Sequence, residues 1–479
     1  MTIFSLVSHS QELLRVILKS NQPADRLAAD YLRRKKYIGS NDRKFISEIT
    51  FNSLRRNYLY EHISSAMKSK FDYKLKPDFK DKELISPIIA SIAISYSNSG
   101  SQFDSVIDYQ RKKMDEVEIA TLINALYEHF FGSPDQYDYF HFIISTFNEL
   151  KSKVNCIIEQ NYQKNQSVEL LKSYYSFQGW IIKNFIDFYG LNHTKNLLES
   201  LCYSAEVCLR VNQGFVRRED VSAKLDNTGV SARKGTFSPS CLILNNRVNL
   251  TNSDLYRSGL FEVQDQGSQL ISLALDPKPG ESILDACAGA GGKTLHIADL
   301  MQNQGHIVAS DIEFKRLKEI SIRARRCNFD IISTKLIKKH ESKDPGLFRR
   351  QSFDRILVDA PCSGMGTVRR MPMPKYRLSK NLLAKLAERQ LDILTFYSQF
   401  LKPGGILVYA TCSLMPQENS EIAEKFLTEN TEFSPDPINP IFDSQNVSIN
   451  ELSETDYFLS LNPFDHESDG FFMARFRKD

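Results

Sequence analysis

Apolar residues recur at three- and four-residue steps from Ser10 to about Leu150, with almost none of the alternation that is typical of strands. This pattern predicts an all-helical domain over residues 1–150. Within it, the apolar run 84–95 is predicted to be a buried helix. The small polar residues at 39–42 are predicted to end one basic helix and to cap the start of the next.

A mixed pattern follows between about Asn165 and Asp276. A helix that contains Trp180 is predicted beside short apolar strands at residues 207–211 and 241–244. These elements together predict an α+β connector domain over residues 165–276.

Residues 277–479 alternate between short β-branched runs and helical stretches. Five strands are predicted at residues 282–287, 307–311, 331–337, 353–359 and 405–411, and two closing strands at 457–461 and 470–476. Such alternation is typical of a parallel sheet with helices on both faces. The predicted fold class is therefore α/β, with a Rossmann-like catalytic domain that follows the helical domain and the connector.

Composition and charge narrow the class of protein. A chain of 479 residues is too long for one hydrophobic core, which agrees with three domains. The start lacks a secretory signal and no segment approaches the ~20 apolar residues of a membrane span. We therefore expect a cytoplasmic protein without membrane contact, and we expect it to be a monomer. The eight cysteines lack the spacing of zinc ligands, so no metal site is expected.

The net charge of +3 does not by itself indicate a nucleic-acid partner. Basic clusters such as 33–36 and 323–326 are more informative, although such runs are more often solvated faces than binding sites.

A glycine-rich turn between a predicted strand and a predicted helix indicates a cofactor site. It lies in DACAGAGGKT at residues 285–294, where glycines allow close approach of the backbone and the helix start offers free N–H donors. Asp311 ends the next strand, where a carboxylate can accept from two ribose hydroxyls. The glycine-rich turn and Asp311 together predict a nucleoside cofactor. They do not distinguish NAD from S-adenosylmethionine. Thr294 in place of a third glycine mildly disfavours NAD.

Cysteines follow two of the predicted strands, Cys362 after Asp359 in DAPCSG and Cys412 in ATCS. Because ligands bind at the carboxyl ends of parallel strands, both thiols are predicted to face the cofactor crevice. A single buried cysteine is usually a structural residue. Two of them beside an acid favour a catalytic site.

Cytosine is a substrate whose chemistry needs a thiol. Its C5 is a poor nucleophile until a thiolate adds to C6, after which C5 can attack a sulfonium methyl group. Asp359 is suited to hold the N3/N4 edge of the base. The base must be unstacked or single-stranded, and Arg369, Arg370 and Lys375 in the next loop are predicted to contact RNA phosphates.

These residues resemble the RNA cytosine-C5 methyltransferases of the RsmB/Nol1/Nop2/Sun group, also called Fmu or Sun proteins. The resemblance covers nearly the whole chain and is carried by VQDQGSQL at 263–270, DACAGAGGKT at 285–294, DRILVDAPCSGMGTVRRMP at 354–372, LVYATCSLMPQENS at 407–420 and DGFFMARF at 469–476. The middle region, with Trp180, is similar to the segment that precedes the family's catalytic domain. Residues 42–57 are similar to part of the NusB-like RNA-binding domain of bacterial members that act on ribosomal RNA.

The resemblance implies S-adenosylmethionine as cofactor and RNA, foremost ribosomal RNA, as partner. It implies Cys412 as the nucleophile and Cys362 as the thiol that assists adduct breakdown and product release. Without the resemblance, the residues themselves do not show which of these two thiols is the nucleophile. The cofactor contacts that carry over are Cys287, Ala288, Gly289, Ala290, Gly291, Gly292, Lys293, Asp311 and Asp359.

One position departs from the family pattern. The family places an aspartate beyond the third strand, near the adenine, and the corresponding residue here is His340, with Glu341 as a candidate substitute. The adenine contact is therefore not transferred.

Two other hypotheses remain open from the sequence. One is a Rossmann methyltransferase for a protein or small molecule, in which both thiols are structural and no adduct forms with RNA that contains 5-azacytosine. The other is an RNA-binding assembly factor that has lost turnover and does not bind S-adenosylmethionine.

Overall fold

A computed structural model of the chain describes residues 1–71, 84–97, 116–131, 138–157, 164–246, 248–338 and 344–479. Over these residues the chain forms two compact units. Unit 1 consists of Met1–Ser204 and Val368–Arg377, and unit 2 consists of Ala205–Thr367 and Leu378–Asp479. Within the described ranges, no helix has the length and apolar character needed to cross a membrane.

Unit 1 is built from helices. They are α1 (Ile3–Lys19), α2 (Ala24–Arg34), α3 (Ser40–Arg55), α4 (Asn57–Phe71), α5 (Ile85–Ser97), α6 (Glu116–Phe131), α7 (Tyr139–Asn155), α8 (Lys164–Tyr175), α9 (Gly179–Tyr189) and α10 (Leu191–Leu201). The prediction of an N-terminal helical region is confirmed. The helices continue to Leu201, and α9 contains the predicted helix with Trp180. The apolar run predicted as a buried helix forms α5, in which Ile88, Ile89 and Ile92 are fully buried.

The predicted break at residues 39–42 is present, and the cap of α3 is supplied by the backbone of Gly39 rather than by a side chain. The helix begins at Ser40, so its N-cap residue is Gly39, which has no side chain to accept a hydrogen bond. Asp42 lies in the first turn instead, and its Oδ2 accepts from the amino group of Met1 at 3.3 Å. A negative charge in the first turn still suits the positive end of the helix dipole.

Unit 2 contains a small antiparallel sheet of four strands. They are β1 (Val207–Val211), β2 (Ala232–Lys234), β3 (Cys241–Leu244) and β4 (Phe261–Val263), in the order β2-β3-β1-β4, accompanied by α11 (Arg218–Asp226) and α12 (Asp254–Arg257). Both strands predicted in the middle region are present. The first helices of the middle region belong to unit 1 and its strands to unit 2.

The large sheet of unit 2 has eight strands. They are β5 (Ser282–Asp285), β6 (His306–Asp311), β7 (Ile332–Leu336), β8 (Phe353–Asp359), β9 (Leu401–Thr411), β10 (Phe433–Pro435), β11 (Phe458–Leu461) and β12 (Phe471–Lys478). The order is β10-β12-β9-β8-β5-β6-β7, and β11 also pairs with β12. The pairs from β7 to β9 are parallel, whereas β12 pairs antiparallel with its neighbours. The α/β Rossmann-like prediction is confirmed.

Helices cover both faces of this sheet. They are α13 (Gln266–Leu275), α14 (Gly292–Leu300), α15 (Phe314–Arg326), α16 (Lys380–Ser398), α17 (Ser420–Glu429), α18 (Asn439–Ser444) and α19 (Pro463–His466). Alternate residues of β5 face opposite layers: Ile283 packs in the cluster that contains Leu270 of α13, and Leu284 in the cluster that contains Leu394 of α16. The sheet is therefore buried on both faces.

The strand order reverses at β5. The chain adds β6 and β7 on one side of β5 and then returns to add β8 and β9 on the other side. In open sheets of this kind the reversal leaves a crevice at the carboxyl ends of the strands, where ligands bind. The residues that follow β5, β6, β8 and β9 are therefore the ones to inspect for a site.

Candidate active site

The glycine-rich turn connects β5 to α14 at this crevice. Gly289 and Gly291 have φ angles of 56° and 84°, which strain residues that carry a side chain. A Cβ on Gly291 would also lie 2.7 Å from Cγ1 of Ile320 on α15. Position 291 therefore requires glycine for its backbone angle and for the close packing of α15.

Asp311, at the end of β6, is oriented by backbone donors. Its Oδ2 accepts from the N–H of Gly289 at 2.9 Å, and its Oδ1 accepts from the N–H of Glu313 at 2.7 Å. The carboxylate is thus tied to the glycine turn, at the strand end where a ribose is bound in folds of this class.

A cavity of about 670 Å³ opens at the same end of the sheet. Its lining includes Cys287 of the glycine turn, Asp311, Asp359, Pro361 and Tyr397. This volume is typical of small-molecule sites. The two acids suit a ligand that combines ribose hydroxyls with a positive charge, as S-adenosylmethionine does.

Negative charge is concentrated beside the cavity. Burial and the charges of Asp359 and Asp311 together raise the pKa of Asp285 to about 7, although a hydrogen bond from Thr294 and the charge of Lys293 lower it. Burial and the same three carboxylates raise the pKa of the Cys287 thiol, which therefore stays protonated at neutral pH. A cationic ligand would relieve this repulsion.

Lys293, the last residue of the glycine turn that was predicted to contact the cofactor, forms an ion pair with Asp359. Its Nζ lies 2.7 Å from Oδ2 of the aspartate, and the side chain is largely buried. Burial lowers the pKa of the Lys293 ammonium, but the charge and hydrogen bond of Asp359 and the charge of Cys412 outweigh burial and raise it. Lys293 is therefore a permanent positive charge near the second thiol.

The two predicted thiols lie together. Cys362, after β8, and Cys412, after β9, are half-buried, and their Sγ atoms are 3.3 Å apart. The backbone of Cys412 is held as well, because its carbonyl accepts from the N–H of Gly366 at 2.9 Å. The hydrogen bond with Cys412 and burial raise the pKa of Cys362 well above its ordinary value.

Glu418 is a residue of this site that the sequence analysis did not single out. It is fully buried, and its carboxylate accepts hydrogen bonds from Ser363 and Ser413, the residues that directly follow the two cysteines. Its signal in the sequence is an acidic residue six positions after Cys412, inside the motif LVYATCSLMPQENS.

Arginines that hold the glycine turn were also missed. Nη1 of Arg210 on β1 donates to the carbonyl of Gly292 at 2.7 Å, and Nη1 of Arg323 on α15 donates to the carbonyl of Ala290 at 2.5 Å. Arg323 and Arg326 also contact the buried carboxylate of Glu262. The basic cluster 323–326 therefore contributes ion pairs within unit 2, and a charged residue inside the apolar strand β1 was the available signal.

The structure corrects part of the predicted RNA contact. Residues 368–377 belong to unit 1, where Lys375 is 1% exposed and donates to the carbonyls of Arg55 and Tyr175. Burial lowers the pKa of Lys375 to about 7. Arg369 is also buried and donates to the carbonyl of Ser204. Neither cation is available to a phosphate, and the RNA contact of the half-buried Arg370 stays a prediction.

His340 and Glu341, the candidates for an adenine contact, lie outside the described residues. The role of that segment stays a prediction.

Two family models match the chain. The model described as 16S rRNA methyltransferase RsmB/F matches residues 272–477. The model described as the ferredoxin-like domain of RsmF/B-like methyltransferases matches residues 177–251. The first covers nearly all of the large sheet, and the second covers α9 and α10 together with the first three strands of the small sheet.

Curated relatives of the chain are also named as ribosomal RNA methyltransferases. The chain is 34% identical over 306 residues to the "Probable ribosomal RNA small subunit methyltransferase B" of Bacillus subtilis, a match that covers 62% of this chain and 66% of that protein. The chain is 27% identical to the protein of the same name from Synechocystis, over 97% of this chain and 98% of the relative. The "Ribosomal RNA small subunit methyltransferase B" of Proteus mirabilis is 31% identical, over 69% of this chain and 73% of the relative.

Solved structures share the fold. The crystal structure of PH0851 superposes with a TM-score of 0.71 at 21% identity and covers 100% of this chain and 99% of that one. The structure of a methyltransferase homologue from Pyrococcus horikoshii has a TM-score of 0.54 at 27% identity, over 68% of this chain and 99% of that one.

Proposed function

The chain belongs to the family of 16S rRNA methyltransferases RsmB/F, and from this premise we propose that it methylates C5 of a cytosine in ribosomal RNA through a covalent adduct with Cys412. The observation that carries the proposal is the pair of thiols 3.3 Å apart at the crevice of the sheet, beside the Lys293–Asp359 ion pair. Methyl transfer to a nitrogen or oxygen atom would not need these thiols, whereas C5 of cytosine does.

Cys412 is the nucleophile in this proposal. Its thiolate adds to C6 of the cytosine, and the electron pair of the C5–C6 bond becomes available at C5 for the methyl group. Lys293, which interacts with Cys412, places a positive charge beside the attacking sulfur. Asp359 can hold the N3/N4 edge of the base by accepting from the N4 amino group, and by carrying a proton to N3 it would draw electron density from C6 and so ease the addition.

Cys362 assists the second half of the reaction. Once C5 carries the methyl group, a base such as a solvent water molecule takes its proton, and the electron pair of that C–H bond restores the C5–C6 bond as the sulfur of Cys412 departs. Cys362 lies within contact of that sulfur and is held protonated, so it can return a proton to the departing thiolate.

S-adenosylmethionine, when bound, supplies the electrophilic methyl group. The residues that would hold it are those of the glycine turn from Cys287 to Lys293, with Asp311 at the ribose and Asp359 at the reacting end. The cavity and its acids fit a cationic nucleoside. The partner RNA is ribosomal, which the names of the relatives support.

Covalent trapping tests the nucleophile. RNA in cells fed 5-azacytidine contains a base that cannot complete the elimination, so we expect the wild-type protein to remain attached to RNA on a denaturing gel. Cys412→Ser should form no adduct, whereas Cys362→Ser should form it and release it poorly, even from ordinary RNA. Cys156→Ser, in unit 1, is the matched control and should behave as wild type. Equal loss of adduct in the two site variants would overturn the assignment.

A further inference from the structure

Glu418 occupies an unusual position for a carboxylate. It ends the one-turn helix Pro416–Glu418 that follows Cys412, and it is fully buried. Four donors surround it: Oε1 accepts from the N–H of Ser363 at 2.7 Å and from Nε2 of Gln390 at 3.0 Å, and Oε2 accepts from the hydroxyls of Ser363 and Ser413, each at 2.5 Å. Among the described residues, no lysine, arginine or histidine forms an ion pair with it.

A buried carboxylate without a cation is costly, and hydrogen bonds to the charged form compensate for the cost. A neutral glutamine could make a similar set of contacts here, because the serine hydroxyls can accept as well as donate. The charge itself therefore needs an explanation beyond packing.

The donors join the loops of the two thiols. Ser363 directly follows Cys362 and Ser413 directly follows Cys412, and one carboxylate binds both. Gln390 of α16 braces the first loop further, because its Nε2 also donates to the carbonyl of Pro361 at 3.1 Å. Glu418 thus lies at the point where the distance between the two sulfur atoms is set.

The charges around the thiols are unequal. Glu418 contacts the residue after each cysteine, Lys293 interacts with Cys412 and Tyr409 interacts with Cys362. Asp359 faces both Lys293 and Tyr409. The pKa of Cys362 is raised by its hydrogen bond with Cys412, by burial, by the charge of Cys412 and by the charge of Glu418. Cys412 in turn interacts with the cation Lys293.

We infer that Glu418 is a positioning residue with two effects: its hydrogen bonds hold the two thiol loops in register, and its charge distinguishes the two thiols, so that Cys412 rather than Cys362 acts as the nucleophile. The inference rests on the proposed function only where it names Cys412 as the nucleophile. According to this inference, Glu418 causes the difference in reactivity between the thiols of Cys362 and Cys412.

Alkylation of the full-length protein without RNA tests the effect of charge. Iodoacetamide is applied across pH 6–10, and mass spectrometry follows each cysteine. In Glu418→Gln, which keeps the shape of the contacts, we expect Cys362 to react at lower pH than in wild type, by about one pH unit, a tenfold change in thiolate fraction at a given pH. Glu421→Gln, an exposed acid on α17, is the matched control and should leave both profiles unchanged.

Methyl transfer tests the effect of position. With total RNA from cells that lack the gene, Glu418→Ala should lower kcat by about 100-fold, and Glu418→Gln should recover about tenfold of this loss because it restores the contacts. The KM for S-adenosylmethionine should stay within a factor of two, since Glu418 does not line the cavity. If Glu418→Ala does not fold, the kcat of Glu418→Gln relative to wild type tests the inference.

A Cys362 profile that is the same in Glu418→Gln and wild type would overturn the inference. A shifted profile in a protein that forms no RNA adduct, even as wild type, would support the role of Glu418 and contradict the proposed function instead.

Discussion

Three neighbouring strands of the large sheet each end in an aspartate, and the charges of these aspartates interact at the cofactor cavity. They are Asp285, Asp311 and Asp359. Asp285 is almost fully buried and accepts from the hydroxyl of Thr294 at 2.6 Å. Burial, with the charges of Asp359 and Asp311, raises its pKa to about 7. The folded protein therefore keeps a proton on Asp285 at a pH where the unfolded chain has released it.

This difference predicts a pH dependence of stability. Between about pH 4 and pH 7 the folded state binds the extra proton, so the free energy of unfolding should fall as pH rises, by at most about 4 kcal/mol, and level off above pH 7. Asp285→Asn should remove most of this fall. Urea unfolding at pH 5 and pH 8 measures it, with the exposed Asp330→Asn as control. Parallel curves for wild type and Asp285→Asn would contradict the assignment of the proton.

At the scale of elements, the small sheet supports the cofactor site. Arg210 of β1 is fully buried and donates to the carbonyl of Gly292, and Arg323 of α15 donates to the carbonyl of Ala290. Both carbonyls belong to the glycine turn. Because two guanidinium groups bind its carbonyl oxygens, the turn is held by side chains as well as by its own backbone.

Arg210→Lys should therefore weaken binding of S-adenosylmethionine. The guanidinium group of Arg210 binds Gly292, Gln264 and Asn212 together, whereas the single ammonium group of a lysine cannot reach all three. The loss of one charged hydrogen bond corresponds to roughly a 10-fold increase in Kd. Calorimetry measures the Kd. Arg233→Lys, on β2 of the same sheet and half-exposed, should leave it unchanged. An unaltered Kd in a folded Arg210→Lys protein would show that the turn holds its shape without this contact.

At the scale of the whole molecule, the helical unit is the candidate for docking on RNA. Arg33, Arg34 and Lys36 are exposed at the end of α2, whereas Lys375 is buried in the same unit. Removal of the residues before 165 would divide unit 1 and expose its core, because α8 to α10 and residues 368–377 belong to it. Single substitutions on the surface are therefore the sound test.

Neutralising Arg33, Arg34 and Lys36 to glutamine should weaken RNA binding and lower the slope of log K against log salt by about 2, as phosphate contacts are lost. The Kd for S-adenosylmethionine should not change. Lys151, Lys153 and Lys183, exposed on α7 and α9, provide a control variant with the same change of charge. Equal effects of the two triple variants would indicate attraction by net charge rather than a docking surface.

Much of the fold followed from local patterns. The strands of the large sheet begin and end within a few residues of the predicted positions, since β-branched runs and glycine turns are properties of neighbouring residues. Other features did not follow. β10 has three residues and no periodicity to detect, and the boundary between units falls at Ser204 because α8 to α10 pack with the helices before them.

The sequence by itself determined which chemical groups end which strands, and hence that an acid, a glycine turn and two thiols would meet at one crevice, because parallel strands place their carboxyl ends on one edge. Only the tertiary structure decided which residues hold those groups. Glu418 and Ser363 are 55 positions apart, Arg210 and Gly292 82, and Lys375 and Arg55 320. Contacts over such separations depend on how layers pack against one another, which the pattern of one segment does not contain.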